Sequence, residues 1–207
     1  MHTTDILIAG GGIAGLSAAA RLSADGWSVA VVDPAPAIPE HPTCRDLRTT
    51  AFLQPAIRTL TTAGAWEAMS AGAAPLRVMR LVDAGGIERT PRETADFTPG
   101  RTGLDAFGMN VANAPARAAL FDVLSRRANV RLMQGRAVTG YVSRRDHALL
   151  RLSDGTSIAA RLAVAADGRD SGLRAAAGLG HKGLHIVELA DGVTEEMARD
   201  VTEATIV

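Results

Sequence analysis

Apolar positions near the start fall in two short unbroken runs on either side of an alanine- and leucine-rich stretch. Residues 6–9 (ILIA) form a short apolar run that ends at glycine. That is the pattern of a strand buried on both faces. Residues 13–24 are rich in alanine and leucine and stop before Gly26, so they read as a helix. Residues 28–32 form a second apolar run, closed by Asp33-Pro34. Strand, helix and strand in this order predict a right-handed βαβ unit with parallel strands.

Further along, residues 34–42 are proline-rich and read as a loop. Residues 50–63 and 66–71 read as helices separated by Gly64. Residues 78–82 and 87–89 read as strands of a hairpin around DAGG, and residues 90–106, polar with proline and glycine, as a loop. Asn113 is expected to cap a helix that has Pro115 in its first turn and runs to about Arg127. Residues 130–134 suit another parallel strand, and short strands follow around Val138, Leu150 and Ile158 with SDG as a turn. Residues 162–166 form an apolar strand ending in Asp167-Gly168, and residues 171–177 a short helix stopped by Gly178. The fold class is therefore α/β: a Rossmann-like parallel sheet with an inserted antiparallel meander and, near residues 77–90, the start of a second sheet.

Composition narrows the function classes. With 22 basic and 22 acidic residues the formal net charge is zero, which gives no electrostatic case for nucleic acid. Cys44 is the only cysteine, so no internal disulfide framework exists and a reducing, cytoplasmic setting fits. No apolar run is long enough for a membrane span; contact at a membrane surface stays open. The five histidines, His2, His41, His147, His181 and His185, form no metal-ligand spacing with acids or Cys44, so no metal is expected. There is no G-x-S-x-G element, which disfavours an α/β-hydrolase.

The chemistry concentrates where Gly10, Gly12 and Gly15 stand at G-x-G-x-x-G spacing between first strand and helix. Gly10 allows the tight turn, Gly12 lets a pyrophosphate approach the backbone, and Gly15 lets helix pack on strand. Ile13 and Ala14 open the helix, whose unpaired N–H groups and positive dipole end suit phosphate. Asp33 closes the second strand at the offset expected of a carboxylate on ribose hydroxyls. A carboxylate there disfavours a 2′-phosphate, so FAD or NAD fits better than NADP. The competing reading is a glycine-rich turn in an ordinary α/β protein.

Four stretches in order, the glycine loop with Asp33, DLRTTAF (46–52), FGMNVANAPARAALF (107–121) and AADGRDSGLR (165–174), resemble the FAD-dependent aromatic hydroxylases. The group is typified by para-hydroxybenzoate hydroxylase, and the likeness is strongest to the hydroxylases of ubiquinone biosynthesis. The fourth stretch matches the family's D-G-x-x-S-x-x-R motif and is the most specific. The resemblance implies FAD as cofactor, NAD(P)H as reductant, O2 as co-substrate and an aromatic or prenylated phenolic small molecule as substrate. It implies cofactor contacts by Arg48, Arg117, Asp167, Gly168 and Arg174 beside the glycine loop and Asp33. It names no acid or base for the oxygen transfer.

Each of these residues has a plainer alternative. Arg48, read as preceding a helix, faces either a pyrophosphate or water. Arg117, on the face of Leu120 and Phe121, binds an anion or snorkels. Asp167 lies in a strand-to-helix turn that Asp170 or Ser171 could cap.

The resemblance covers residues 5–180, expected as a FAD-binding domain, while 181–207 form an atypical tail. Family members continue to a second flavin motif around a Gly-Asp pair, with no counterpart here. Residues 183–207 read as strand, turn and helix and are similar to the end of CoA-transferase β-type subunits. That pattern implies a truncated or frame-fused chain expected to bind FAD weakly and to hydroxylate nothing by itself. A non-catalytic nucleotide-binding fragment, or another flavoprotein of this fold such as a prenyl reductase or halogenase, is the alternative.

Overall fold

In the computed structural model, residues 2–35, 47–84 and 91–179 are described. The expected βαβ unit is present: β1 (His2–Ala9), α1 (Ile13–Ala24) and β2 (Val29–Asp33). The main sheet is completed by β8 (Val130–Gln134), β9 (Val138–Ser143), β10 (Ala148–Leu152) and β11 (Ser157–Ala165), in the order β8-β2-β1-β11-β10-β9. The first four run parallel, and β10 and β9 add antiparallel to β11.

The unbroken apolar runs are explained by two cores. Ile6, Ile8, Val29 and Val31 face one cluster, in which Leu16, Leu60, Met69, Leu120 and Leu124 are buried. Leu7, Ala9 and Val32 face the other, with Met133, Leu150, Ile158 and Leu173. Both faces of residues 6–9 of β1 and 29–32 of β2 are covered, so neither face can be polar there.

On the first face, α1 packs against α4 (Asn113–Ser125). The buried residues Gly15, Leu16, Ala19, Ala20 and Ser23 of α1 meet Ala116, Leu120 and Leu124 of α4. The small side chains allow close approach. The Arg127 guanidinium seals this junction by donating to the Ala20 carbonyl (2.6 Å), the Ser23 hydroxyl (2.6 Å) and the Ala63 carbonyl.

Several expectations need correction. Residues 50–63 are not one helix: β3 (Thr49–Leu53) precedes α2 (Gln54–Thr62). Pro55 lies in the first turn of α2, where its missing N–H costs nothing. The strand upstream pairs antiparallel with β7 (Gly108–Ala112), which also meets the short β4 (Ala74–Pro75). The second helix is shorter than read: α3 spans Trp66–Met69.

Asn113 is not the cap of α4. Ala112 occupies that position, and Asn113 Oδ1 instead accepts from the Thr50 hydroxyl at 2.7 Å, linking β3 to the helix start. The stretch 90–106 is not all loop, because β6 (Glu93–Phe97) pairs with β5 (Met79–Asp83). The expected hairpin partner at 87–89 and the tail at 181–207 lie outside the described residues. Finally, the strands expected near Ile158 and at 162–166 are one strand, β11, which changes partners along its length.

Candidate functional site

The carboxyl ends of the parallel strands converge on the loop between β1 and α1. Each glycine of that loop meets a different constraint. Gly10 has φ +111°, and a Cβ there would lie 2.2 Å from the Ala166 carbonyl oxygen. A Cβ on Gly15 would lie 1.9 Å from the Gly10 carbonyl oxygen. Both positions are closed by backbone. Gly12 is the opposite: φ is −76°, and an added Cβ would meet nothing within 4 Å. Gly12 and Ala14 are exposed while Gly15 is buried, so the open side of the loop faces outward at the start of α1.

That helix start offers donors. Gly12 is the N-cap and makes no side-chain cap bond. The helix ladder begins with the Leu16 amide donating to the Gly12 carbonyl (3.0 Å). The amides of Ile13, Ala14 and Gly15 therefore precede the ladder, and the positive end of the helix dipole lies with them.

Asp33 and Arg117 hold the loop from two sides. Asp33 Oδ2 accepts from the Gly11 amide, and Oδ1 accepts from the Ala35 amide (2.8 Å). Arg117 Nε donates to the Gly11 carbonyl (2.7 Å), and its Nη2 stands 3.9 Å from Asp33 Oδ1. The two side chains are 27% and 17% exposed, so the guanidinium lies at the cleft and not in bulk water. Each carboxylate oxygen keeps capacity for a further donor.

Sequence reasoning missed Gly11. A Cβ there would press within about 3.0 Å of the Asp33 side chain, and the residue is distinguished only as the middle of three consecutive glycines.

The remaining expected residues divide. Arg48 precedes β3 and not a helix, so the helix-dipole argument for it falls. Its carbonyl accepts from the Asn113 amide (2.9 Å), which places it beside the start of α4, the helix that carries Arg117. Asp167 follows β11 and lies against Gly10. It also serves α5 (Gly172–Ala176): Oδ2 accepts from the Leu173 amide (3.2 Å). Ser171 is the N-cap of α5, its hydroxyl accepting from the Arg174 amide (3.0 Å). Gly168, at φ +94°, makes the turn between strand and helix. Arg174 Nη2 donates to the Arg169 carbonyl (2.8 Å), and the side chain lines a cleft of about 440 Å³ beside α5.

Burial would raise the Asp167 carboxyl. The Ser171 hydroxyl and the Leu173 and Gly172 amides outweigh it and leave the pKa lowered. A lowered folded pKa contributes stability that is present above the unfolded value and lost as pH falls through the folded one. Acidification below the ordinary carboxylate range should therefore release α5 first. Loss of amide protection at Leu173 ahead of the β1 amides, followed by hydrogen exchange against pH, checks this.

Comparison with known proteins gives the ligand. The profile of a family described as "FAD binding domain" matches residues 3–204. The chain belongs to this family. FAD is thus the dinucleotide of the domain. The chain is 31% identical over 195 residues to ubiquinone hydroxylase UbiL of Rhodospirillum rubrum, covering 94% of this chain and 44% of that protein. It is 30% identical over 182 residues to 3-demethoxyubiquinol 3-hydroxylase of Escherichia coli, covering 86% and 44%. The chain thus spans less than half the length of the curated relatives it matches. In fold it is similar to p-nitrophenol 4-monooxygenase PnpA of Pseudomonas putida, with TM-score 0.69 at 21% identity, over 88% of this chain and 46% of that one.

Among the described residues no helix is long and apolar enough to cross a membrane, and no group of three His, Cys, Asp or Glu could hold a metal ion.

Proposed function

We propose that this FAD binding domain holds the adenosine and pyrophosphate half of FAD across Gly10–Gly15, and serves a monooxygenase that hydroxylates a phenolic ubiquinone precursor with NAD(P)H and O2. The observation that carries the placement is the space at Gly12: backbone closes Gly10 and Gly15, while Gly12 alone of the three leaves room beside the helix-start amides that precede the ladder. Pyrophosphate fits that space and those donors. The ribose hydroxyls fit Asp33, and the Arg117 charge beside it offsets the phosphates. Asp167 Oδ1 is buried and has no hydrogen-bond partner among the described residues, and it would accept a hydroxyl of the cofactor farther along. Arg48, Gly168 and Arg174 are assigned to the same cofactor by the family motif.

When bound, FAD would supply the redox chemistry, taking electrons from NAD(P)H and activating O2 for transfer of one oxygen atom to an electron-rich ring. The protein's part is to bind, orient and shield. Residues 1–180 form the FAD-binding portion in this reading, and the exposed β5–β6 ribbon begins the substrate-facing sheet. The ubiquinone assignment rests on the two hydroxylase relatives.

The test is to load the protein with FAD, supply NADH or NADPH with a phenolic ubiquinone precursor, and provide isotopically labelled oxygen gas. Flavin binding with no labelled product is the expected result for this chain by itself. Labelled hydroxylated product would contradict the reading of the chain as a FAD-binding portion alone, and absence of flavin binding would remove the nucleotide site.

Arg117→Ala gives a narrower check. It removes the donor to the Gly11 carbonyl and the charge near Asp33. FAD affinity should fall about tenfold, on the order of one charge-assisted hydrogen bond. Flavin fluorescence titration measures it, and Arg117→Lys should restore only part, because the planar fork is lost.

A further inference from the structure

Two of the arginines assigned to the cofactor, Arg48 and Arg117, stand on different elements, and a single junction joins those elements. β7 runs straight into α4: Ala112 ends the strand and Asn113 opens the helix. β3 lies antiparallel to β7, with Thr49 opposite Ala112 and Thr50 opposite Val111. The Asn113 amide prolongs this pairing by one step, donating to the Arg48 carbonyl (2.9 Å). The Thr50 hydroxyl donates to Asn113 Oδ1 (2.7 Å). Main chain and side chain of one asparagine thus hold residues 48 and 50 together. That side chain is not used by its own helix. Ala112 has the cap position of α4, with no side-chain cap bond, although asparagine is among the best capping residues. Asn113 stands one position too late for that role and spends its carbonyl oxygen on β3.

One helical turn beyond Asn113, four residues on and so on the same face of α4, is Arg117, whose Nε donates to the Gly11 carbonyl (2.7 Å). A continuous path of contacts therefore runs from the glycine loop through Arg117 and the first turn of α4 to Asn113, and from there to the backbone of Arg48. We propose that Thr50 and Asn113 are positioning residues: their hydrogen bond fixes Arg48 relative to Arg117, so that both guanidinium groups meet one FAD molecule. The inference rests on the reading above that both arginines contact FAD. Thr50 and Asn113 act through Arg48. Without the Thr50 hydroxyl, the Arg48 backbone keeps only the bond from the Asn113 amide, at the very end of the β3 ladder, where local opening is easiest. An arginine on an opening strand end must be ordered when the cofactor binds, and that ordering subtracts from affinity. The Thr50–Asn113 bond is partly buried, so water competes with it less than at an exposed site.

The experiment is a double-mutant cycle in FAD affinity, read by flavin fluorescence titration of the whole chain, with Thr50→Val, Arg48→Ala and the two combined. Valine keeps the branched shape and strand preference of threonine and removes only the hydroxyl. Thr50→Val should weaken FAD binding about fivefold, the size of one net hydrogen bond. Thr50→Ser, which keeps a donor, should return affinity to within about twofold of the parent. Arg48→Ala should weaken binding about tenfold, and Thr50→Val added to it should cost less than about twofold more, because a bond that acts through Arg48 has nothing left to position. Parent-like affinity in Thr50→Val would overturn the proposal. So would a loss that persists in full on the Arg48→Ala background, since the bond would then serve the fold alone, and so would a Thr50→Ser protein as weak as Thr50→Val. Parent-like affinity in Arg48→Ala would overturn it by a different route, removing Arg48 from the cofactor while leaving the glycine loop as its site.

Discussion

Replacing Gly12 by valine is expected to leave a folded protein that no longer holds FAD. The backbone at Gly12, φ −76° and ψ −178°, is one that valine adopts without strain, and its Cβ would meet no protein atom within 4 Å. Among the described residues no atom therefore opposes the substitution. The side chain does fill the space where pyrophosphate must approach the amides of Ile13 and Ala14. Affinity for FAD should fall about a hundredfold or more, equivalent to ~3 kcal/mol. Thermal unfolding without added flavin should match the parent. Retention of a stoichiometric flavin spectrum by Gly12→Val would remove the glycine loop from the binding site.

Gly15→Ala should do the reverse and damage the fold. Its Cβ would be forced to 1.9 Å from the Gly10 carbonyl oxygen and 3.1 Å from the carbonyl carbon, with Ile8 Cγ2 at an ordinary 3.4 Å. The obstruction is the Gly10 backbone, so no flexible side chain can yield to relieve it. α1 would have to lift from β1 and disturb its contact with α4. The cost is on the order of 3 kcal/mol or more, at the upper end for overpacked sites. Urea unfolding of the flavin-free protein measures it. A midpoint equal to the parent's would mean that α1 does not pack on the loop as described. Together the two substitutions separate a glycine kept for a ligand from a glycine kept for the fold, although both belong to one motif.

The βαβ unit was legible in the sequence because its signals are local. Apolar runs, an alanine-rich helix and punctuating glycines follow one another within the first 33 residues. The segment around Thr50 was not legible for the opposite reason. Its partner, β7, lies far along the chain at Gly108–Ala112, and no local pattern announces that pairing. β6 was missed because all five of its residues, ETADF, are exposed, so neither face imposes an apolar alternation. Arg80 and Asp96, paired across that ribbon at 2.7 Å, are visible only once the register is known.

At the site, Asp33 could be placed from its position at the end of an apolar run. The partner of Arg117 could not. Its strongest contact is a backbone carbonyl, that of Gly11, and carbonyls leave no mark in a sequence. The dual role of Asp167, against Gly10 on one side and accepting from the Leu173 amide of α5 on the other, likewise depends on the bend after β11.

The most direct measurement is to titrate FAD into isotopically labelled protein and follow the backbone amides by NMR. The account predicts that the largest shifts fall on Gly11, Gly12, Ile13 and Ala14, with smaller ones at Ala35, and that ADP alone reproduces them. FAD binding whose largest shifts fall instead on Leu173, Ala177 and Leu179, with the glycine loop unmoved, would contradict it.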